Sequence, residues 1–195
     1  MDCRSNIECN ILTVASTLRW AVTNARSVMN KLAELHLFLQ TYNLDLSCVT
    51  ETWLNISIPD SLIAPKGYKV YRHDRSTRAG GVAIFVRDTA VVHQVAVSGE
   101  FNNIEVVCID VHLYNTVYRV IGFYRPPGLD RDAQAYLSAS VKCLQALCST
   151  EKTTVILGDF NLPNIDWSCY HCPDNPIYKE FLKFVNSYGF YQYVK

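Results

Sequence analysis

Apolar residues fall along this chain in two rhythms: short runs that stop at a turn, and longer stretches that return to one face every three to four positions. The short runs predict strands at Leu18 to Thr23, Leu44 to Thr50, Tyr68 to Tyr71, Val82 to Val86, Val91 to Val97, Ile104 to Leu113, Val117 to Phe123 and Thr154 to Leu157. The longer rhythm predicts three helices. Met29, Leu32, Leu35, Phe38 and Leu39 make an apolar face between Val28 and Tyr42, with Ser27 placed to cap it. Ala133, Tyr136, Leu137, Val141, Leu144, Leu147 and Cys148 form a second stripe behind Asp130 or Asp132 as cap. Ile177, Phe181, Phe184, Val185 and Tyr188 form a third, opened by Asn175-Pro176 and stopped by Gly189.

A chain of 195 residues, 49% hydrophobic and 18% charged, has enough apolar material for one domain with a real core. Eighteen basic residues balance eighteen acidic ones, so any attraction to nucleic acid has to come from a local patch. Several of the eight cysteines interrupt apolar runs, as small buried hydrophobes do, which favours a reducing compartment. Cys169, His171 and Cys172 cluster without a second pair at zinc-finger spacing. The N-terminus does not read as a signal peptide and no apolar run is long enough to span a membrane, so neither secretion nor membrane insertion is expected.

Candidate chemistry sits where strands end. Asn24 follows the first strand, Glu51 the second and Tyr124 the strand ahead of Pro126-Pro127, while Asp159 and Asn161 lie in the turn after Gly158. In layered α/β folds, groups at strand ends converge although they are far apart in sequence. A carboxylate for a divalent cation, amides and a phenol for a non-bridging oxygen, and a second carboxylate to orient water are what phosphoester hydrolysis needs. The simpler alternative for Asp159 and Asn161 is an Asx-turn that bonds only its own backbone. Arg72, Arg75 and Arg78 are either a solvated hairpin tip or a phosphate contact, and Arg125 joins them as a candidate nucleic-acid contact. His93 and His112, inside strands, are expected to be structural.

TNARSV, TETWL, GGVAIFV, GFYRPP and LGDFNLPNIDW, in this order and spacing, resemble the endonuclease/exonuclease/phosphatase superfamily. The resemblance is strongest to the apurinic-like endonuclease domain of LINE-type (non-LTR) retrotransposons and runs from about Leu18 to Lys195, leaving 1–17 as an N-terminal extension. It implies an α/β fold: a four-layered sandwich of two mixed sheets flanked by helices. It also implies Mg²⁺ or Mn²⁺ as cofactor, DNA as partner, and a 3′-hydroxyl nick that a reverse transcriptase domain, absent from this chain, extends. Glu51 matches the metal-binding glutamate, and Asn24 the asparagine beside it that helps hold the metal and organise the phosphate. Tyr124 matches the tyrosine on the scissile phosphate, and Asp159 with Asn161 the pair that orients water and stabilises the transition state.

The family continues to a further aspartate and a Ser-Asp-His motif, and neither occurs before Lys195. The expectation is therefore a domain lacking its terminal strands, inactive or weak, since loss of a general base costs about 10²- to 10⁴-fold. Two alternatives remain: a non-catalytic retroelement remnant with weak nucleic-acid binding, and a phosphomonoesterase of the same superfamily.

Overall fold

The computed structural model describes residues 9–15, 18–75 and 79–193. Among the described residues, nine strands form two mixed sheets. In sheet A, β1 (Cys9–Ala15), β2 (Leu18–Asn24), β3 (Leu46–Thr50), β4 (Tyr68–His73) and β5 (Val82–Arg87) lie in the order β1-β2-β3-β5-β4. In sheet B, β6 (Val91–Gln94), β7 (Glu105–Leu113), β8 (Thr116–Tyr124) and β9 (Thr153–Asp159) lie in sequence order. Each sheet holds one parallel pair, β2 with β3 and β8 with β9, and all other pairings are antiparallel.

The strands' two-residue period sorts their side chains into layers. In β5, Val82, Ile84 and Val86 turn inward to meet Val107, Ile109, Val111 and Val120 of sheet B. Ala83 and Phe85 turn outward, against Leu35, Phe38 and Leu39 of helix α1 (Leu32–Thr41). On sheet B, Val106, Cys108, Ile121 and Phe123 face outward, against α3 (Arg131–Cys148) and α4 (Pro176–Ser187). The result is helix, sheet, sheet, helix, as the resemblance implies. Cys48, Cys108 and Cys148 are core residues, and burial pushes each thiol up to about 12.

Asp130 caps α3 by accepting from the Ala133 amide, and Asn175 caps α4 by accepting from that of Ile177. Ser27 does not cap α1. Its backbone lies in the left-handed region at φ 89° and its N–H goes to the Glu51 carbonyl, so the chain enters α1 through a 3₁₀ turn at Met29–Lys31 instead. A one-turn helix, α2 (Asp60–Ile63), lies between β3 and β4. Among the described residues no helix is long and apolar enough to cross a membrane.

Candidate active site

The two parallel pairs point their carboxyl ends to the same side of the sandwich. Asn24 lies opposite Thr50 in register, so Glu51 emerges beside it, and Tyr124 lies opposite Asp159. The Asn24 side-chain amide joins the halves: its Nδ2 donates to Glu51 Oε1 at 2.8 Å and to Asp159 Oδ2 at 3.4 Å. Its Oδ1 accepts from the Arg26 amide at 3.2 Å, which fixes the orientation of the group. Asn24 thus turns its nitrogen, not its oxygen, to the carboxylates. In that orientation the amide joins the two acids across the sheets.

Local backbone geometry delivers these groups. Glu51 is left-handed at φ 50°, a conformation unusual outside glycine, and it is held by neighbours on both sides. The Glu51 carbonyl accepts from Ser27 N and that of Thr52 from Val28 N, while the Trp53 amide donates to the Gly80 carbonyl at 2.9 Å. On sheet B, Gly158 lies so close to β8 that a Cβ there would collide with the Phe123 carbonyl, and its φ of 151° is one that few residues with side chains adopt. The Asx-turn expected of the next residues is present, and it leaves one Asp159 oxygen for other partners. Asp159 Oδ1 accepts from the Asn161 amide at 2.9 Å, and Oδ2 is left to face Asn24.

The arginines divide by burial. Arg125 is fully buried, its guanidinium donating to the carbonyls of Phe160, Gly128 and Asn161 at 2.7, 3.1 and 2.9 Å. Asn161 Nδ2 returns a bond to the Arg125 carbonyl at 2.6 Å. Arg125 therefore fastens the loop after β9 and is not a nucleic-acid contact, because its donors are used inside the fold. Arg72 is largely consumed as well, by Asp60 at 2.8 Å, Asp74 at 2.9 Å and the Ile58 carbonyl at 2.6 Å, which removes it as a free phosphate contact. Arg75 is exposed, with Nη1 3.6 Å from Glu105 Oε1. Arg78 lies outside the described residues.

Tyr124 is buried, and its phenol is pushed well above its usual range by burial and then by the charges of Glu51, Glu105 and Asp159. At neutral pH it is therefore a proton donor. Sequence reasoning missed Glu105, whose only signal was an acid heading the apolar run IEVVCID. Burial pushes its carboxyl up, against the lowering effects of the Gly81 amide and Arg75, and the Glu51 charge pushes it up further.

A groove of about 630 Å³ opens at Asn24, Asp159 and Asn161 and runs along β9. The donor set fits a hard divalent cation, which takes oxygen ligands and is often held by one or two carboxylates plus substrate oxygens. Glu51 and Asp159 supply two such carboxylates on one amide nitrogen. The histidines lie in other settings: His36 Nε2 meets the Ile63 carbonyl at 2.9 Å, and His93 packs edge-on against His112. Cys169, His171 and Cys172 lie in or beside a turn closed by backbone bonds between Asp166 and His171. Among the described residues no group of three His, Cys, Asp or Glu is placed to hold a metal.

A sequence profile of the Endonuclease/Exonuclease/phosphatase family matches residues 6–189, and the chain belongs to that family. Among curated proteins no match was found. Solved structures of similar fold include an AP endonuclease from Archaeoglobus fulgidus, 22% identical with a TM-score of 0.64, covering 88% of this chain and 70% of its own. The endonuclease domain of TRAS1, a telomere-specific non-LTR retrotransposon, is 16% identical with a TM-score of 0.63, covering 88% and 72%. A variant of the 3′ phosphatase NExo from Neisseria, bound to a product DNA hairpin, is 18% identical with a TM-score of 0.62, covering 87% and 69%. At these identities the likeness establishes the two-sheet α/β sandwich.

Proposed function

We propose that this chain hydrolyses phosphodiester bonds in DNA with Mg²⁺ or Mn²⁺, as the nicking domain of a non-LTR retroelement. The observation that supports this most is the Asn24 amide, which holds a carboxylate from each sheet on one nitrogen. Glu51 would hold the cation, assisted by Asp159. When bound, the cation supplies charge stabilisation for the phosphate oxygens. Asn24 keeps the two carboxylates convergent. Asp159 Oδ2 orients the attacking water, and Asn161 stabilises the charge that develops on phosphorus-bound oxygen. Tyr124, held protonated, donates to a non-bridging oxygen of the scissile phosphate. Arg75 meets a flanking phosphate from the rim. The structural neighbour bound to a product DNA hairpin, beside two endonucleases, favours DNA as the substrate class. The motifs GFYRPP and GDFNLPNIDW favour a retroelement, whose reverse transcriptase would extend the 3′-hydroxyl that the nick leaves.

The test is nicking of supercoiled plasmid with Mg²⁺, with EDTA, and by Glu51→Ala. Nicking is expected with Mg²⁺ and absent in the other two. Nicking that persists in EDTA or in Glu51→Ala removes the metal role. An inert protein whose DNA affinity ignores Mg²⁺ and falls steeply with salt is a non-catalytic binder. Cleavage of inositol phosphates without nicking makes it a phosphomonoesterase.

A further inference from the structure

Strand β7 opens with a carboxylate where its neighbours are apolar. Val107, Ile109 and Val111 face the other sheet, and the period of two puts Glu105 on the same inner face. It is 3% exposed and lies directly opposite Tyr124 in register. Its Oε2 accepts from the Gly81 amide at the start of β5, a hydrogen bond that crosses from sheet B to sheet A. Gly80 and Gly81, both at positive φ, are shaped around these contacts: a Cβ on Gly80 would meet Glu105 Oε2, and one on Gly81 would meet Thr52 Oγ1. The turn passes the restraint on through its carbonyls, Gly81 accepting from Thr52 N at 3.4 Å and Gly80 from Trp53 N at 2.9 Å. Those amides flank the left-handed residues Glu51 and Trp53, at φ 50° and 53°.

We propose that Glu105 is a positioning residue: by clamping the Gly80–Gly81 turn across the sandwich, it fixes the Glu51–Trp53 segment so that the Glu51 carboxylate faces Asp159 and Tyr124. An apolar residue at this position would leave the Gly81 amide without its acceptor, and a buried donor left unpaired is costly. The same carboxylate holds Arg75 at the rim through their 3.6 Å ion pair. The inference rests on the reading of Glu51 as the metal carboxylate, but its structural half can be measured without metal.

The experiment compares Glu105→Leu, which has no acceptor, with Glu105→Gln, which keeps an oxygen for the Gly81 amide. Amide hydrogen exchange is followed at Gly81, Thr52 and Trp53, and Mn²⁺ binding is titrated on the same proteins. In Glu105→Leu, exchange at those three amides is expected to accelerate while α3 amides stay protected, and Mn²⁺ affinity to fall by about 10- to 100-fold. Glu105→Gln is expected to restore both. Unchanged protection in Glu105→Leu overturns the proposal, as does loss of protection at those amides in a folded Glu105→Gln should the leucine variant fail to fold. If protection changes as expected but Glu51→Ala binds Mn²⁺ as well as the parent, the clamp stands and the metal reading of Glu51 falls.

Discussion

Tyr124 shows how one side chain is tuned by what surrounds it. A buried phenol facing three carboxylates ionises with great difficulty, because the phenolate would lose solvation and meet like charge. Deprotonation is thus displaced upward from about pH 10, its usual position. In the proposed reaction, removing the hydroxyl deletes a donor to the scissile phosphate, and loss of one such donor costs about 10²- to 10³-fold in kcat. Tyr124→Phe should therefore lower kcat for plasmid nicking by that order, with KM nearly unchanged. In the metal-free protein, an ultraviolet titration should find this phenol still protonated at about pH 10. A phenylalanine variant with parental kcat would remove Tyr124 from the chemistry. Arg125 illustrates the opposite outcome at the neighbouring residue. Adjacent in sequence to a site residue and cationic, it reads as a ligand contact, yet its guanidinium satisfies three carbonyls of the loops it joins.

Among the elements, the base of sheet B is tied together by charge. Asp110 on β7 accepts two hydrogen bonds from Arg119, its cross-strand partner on β8, at 2.7 and 2.9 Å, and one from Lys152, just ahead of β9, at 2.9 Å. Arg119 also donates to the Leu147 carbonyl at the end of α3, at 3.0 Å. These bonds, from Arg119 first and then Lys152, hold the Asp110 carboxyl below its usual range against the opposing effect of burial. A carboxyl depressed in the fold adds stability that is present above its unfolded value of about 3.9 and is lost as pH falls through the lower folded value. Asp110→Asn should accordingly be less stable than the parent by about 1–3 kcal/mol at pH 7. Urea unfolding should show that gap closing as the pH drops below about 4, and a gap of constant size would sink the argument.

The elements were legible to the degree that periodicity governs them. Strands such as Val82–Arg87 and helices with a capping Asp130 or Asn175 announce themselves locally. What was not legible depends on contacts across the fold. Ser27 looks like a cap, but its amide is claimed by Glu51 from another strand. The role of Glu105 exists only because β5 of the opposite sheet presents Gly81 to it. The strand-end positions of Asn24, Glu51, Tyr124 and Asp159 were readable one by one. The meeting of Glu51 and Asp159 on the Asn24 amide required the stacking of two sheets.

That stacking makes a prediction about the whole molecule. The two sheets approach closely at Gly122 of β8, where an added Cβ would lie 3.0 Å from Ile84 Cγ1 of β5 and 3.3 Å from Cys48 Sγ of β3. Both neighbours are fully buried in the layer between the sheets, so neither has solvent to move into. Gly122 is thus a spacer between the sheets, where an added carbon has no room unless its neighbours shift. Overpacking a core usually costs about 1–3 kcal/mol, and Gly122→Ala should destabilise by an amount in that range. Ile84→Val removes a methyl group from the layer the new Cβ would enter and should cost about 0.5–1.5 kcal/mol alone. Together the two changes should cost less than their sum, because residues sharing one packing volume are coupled. A denaturant double-mutant cycle measures that coupling directly. Strict additivity would mean that the sheets accommodate the extra carbon elsewhere, and that Gly122 does not set their spacing.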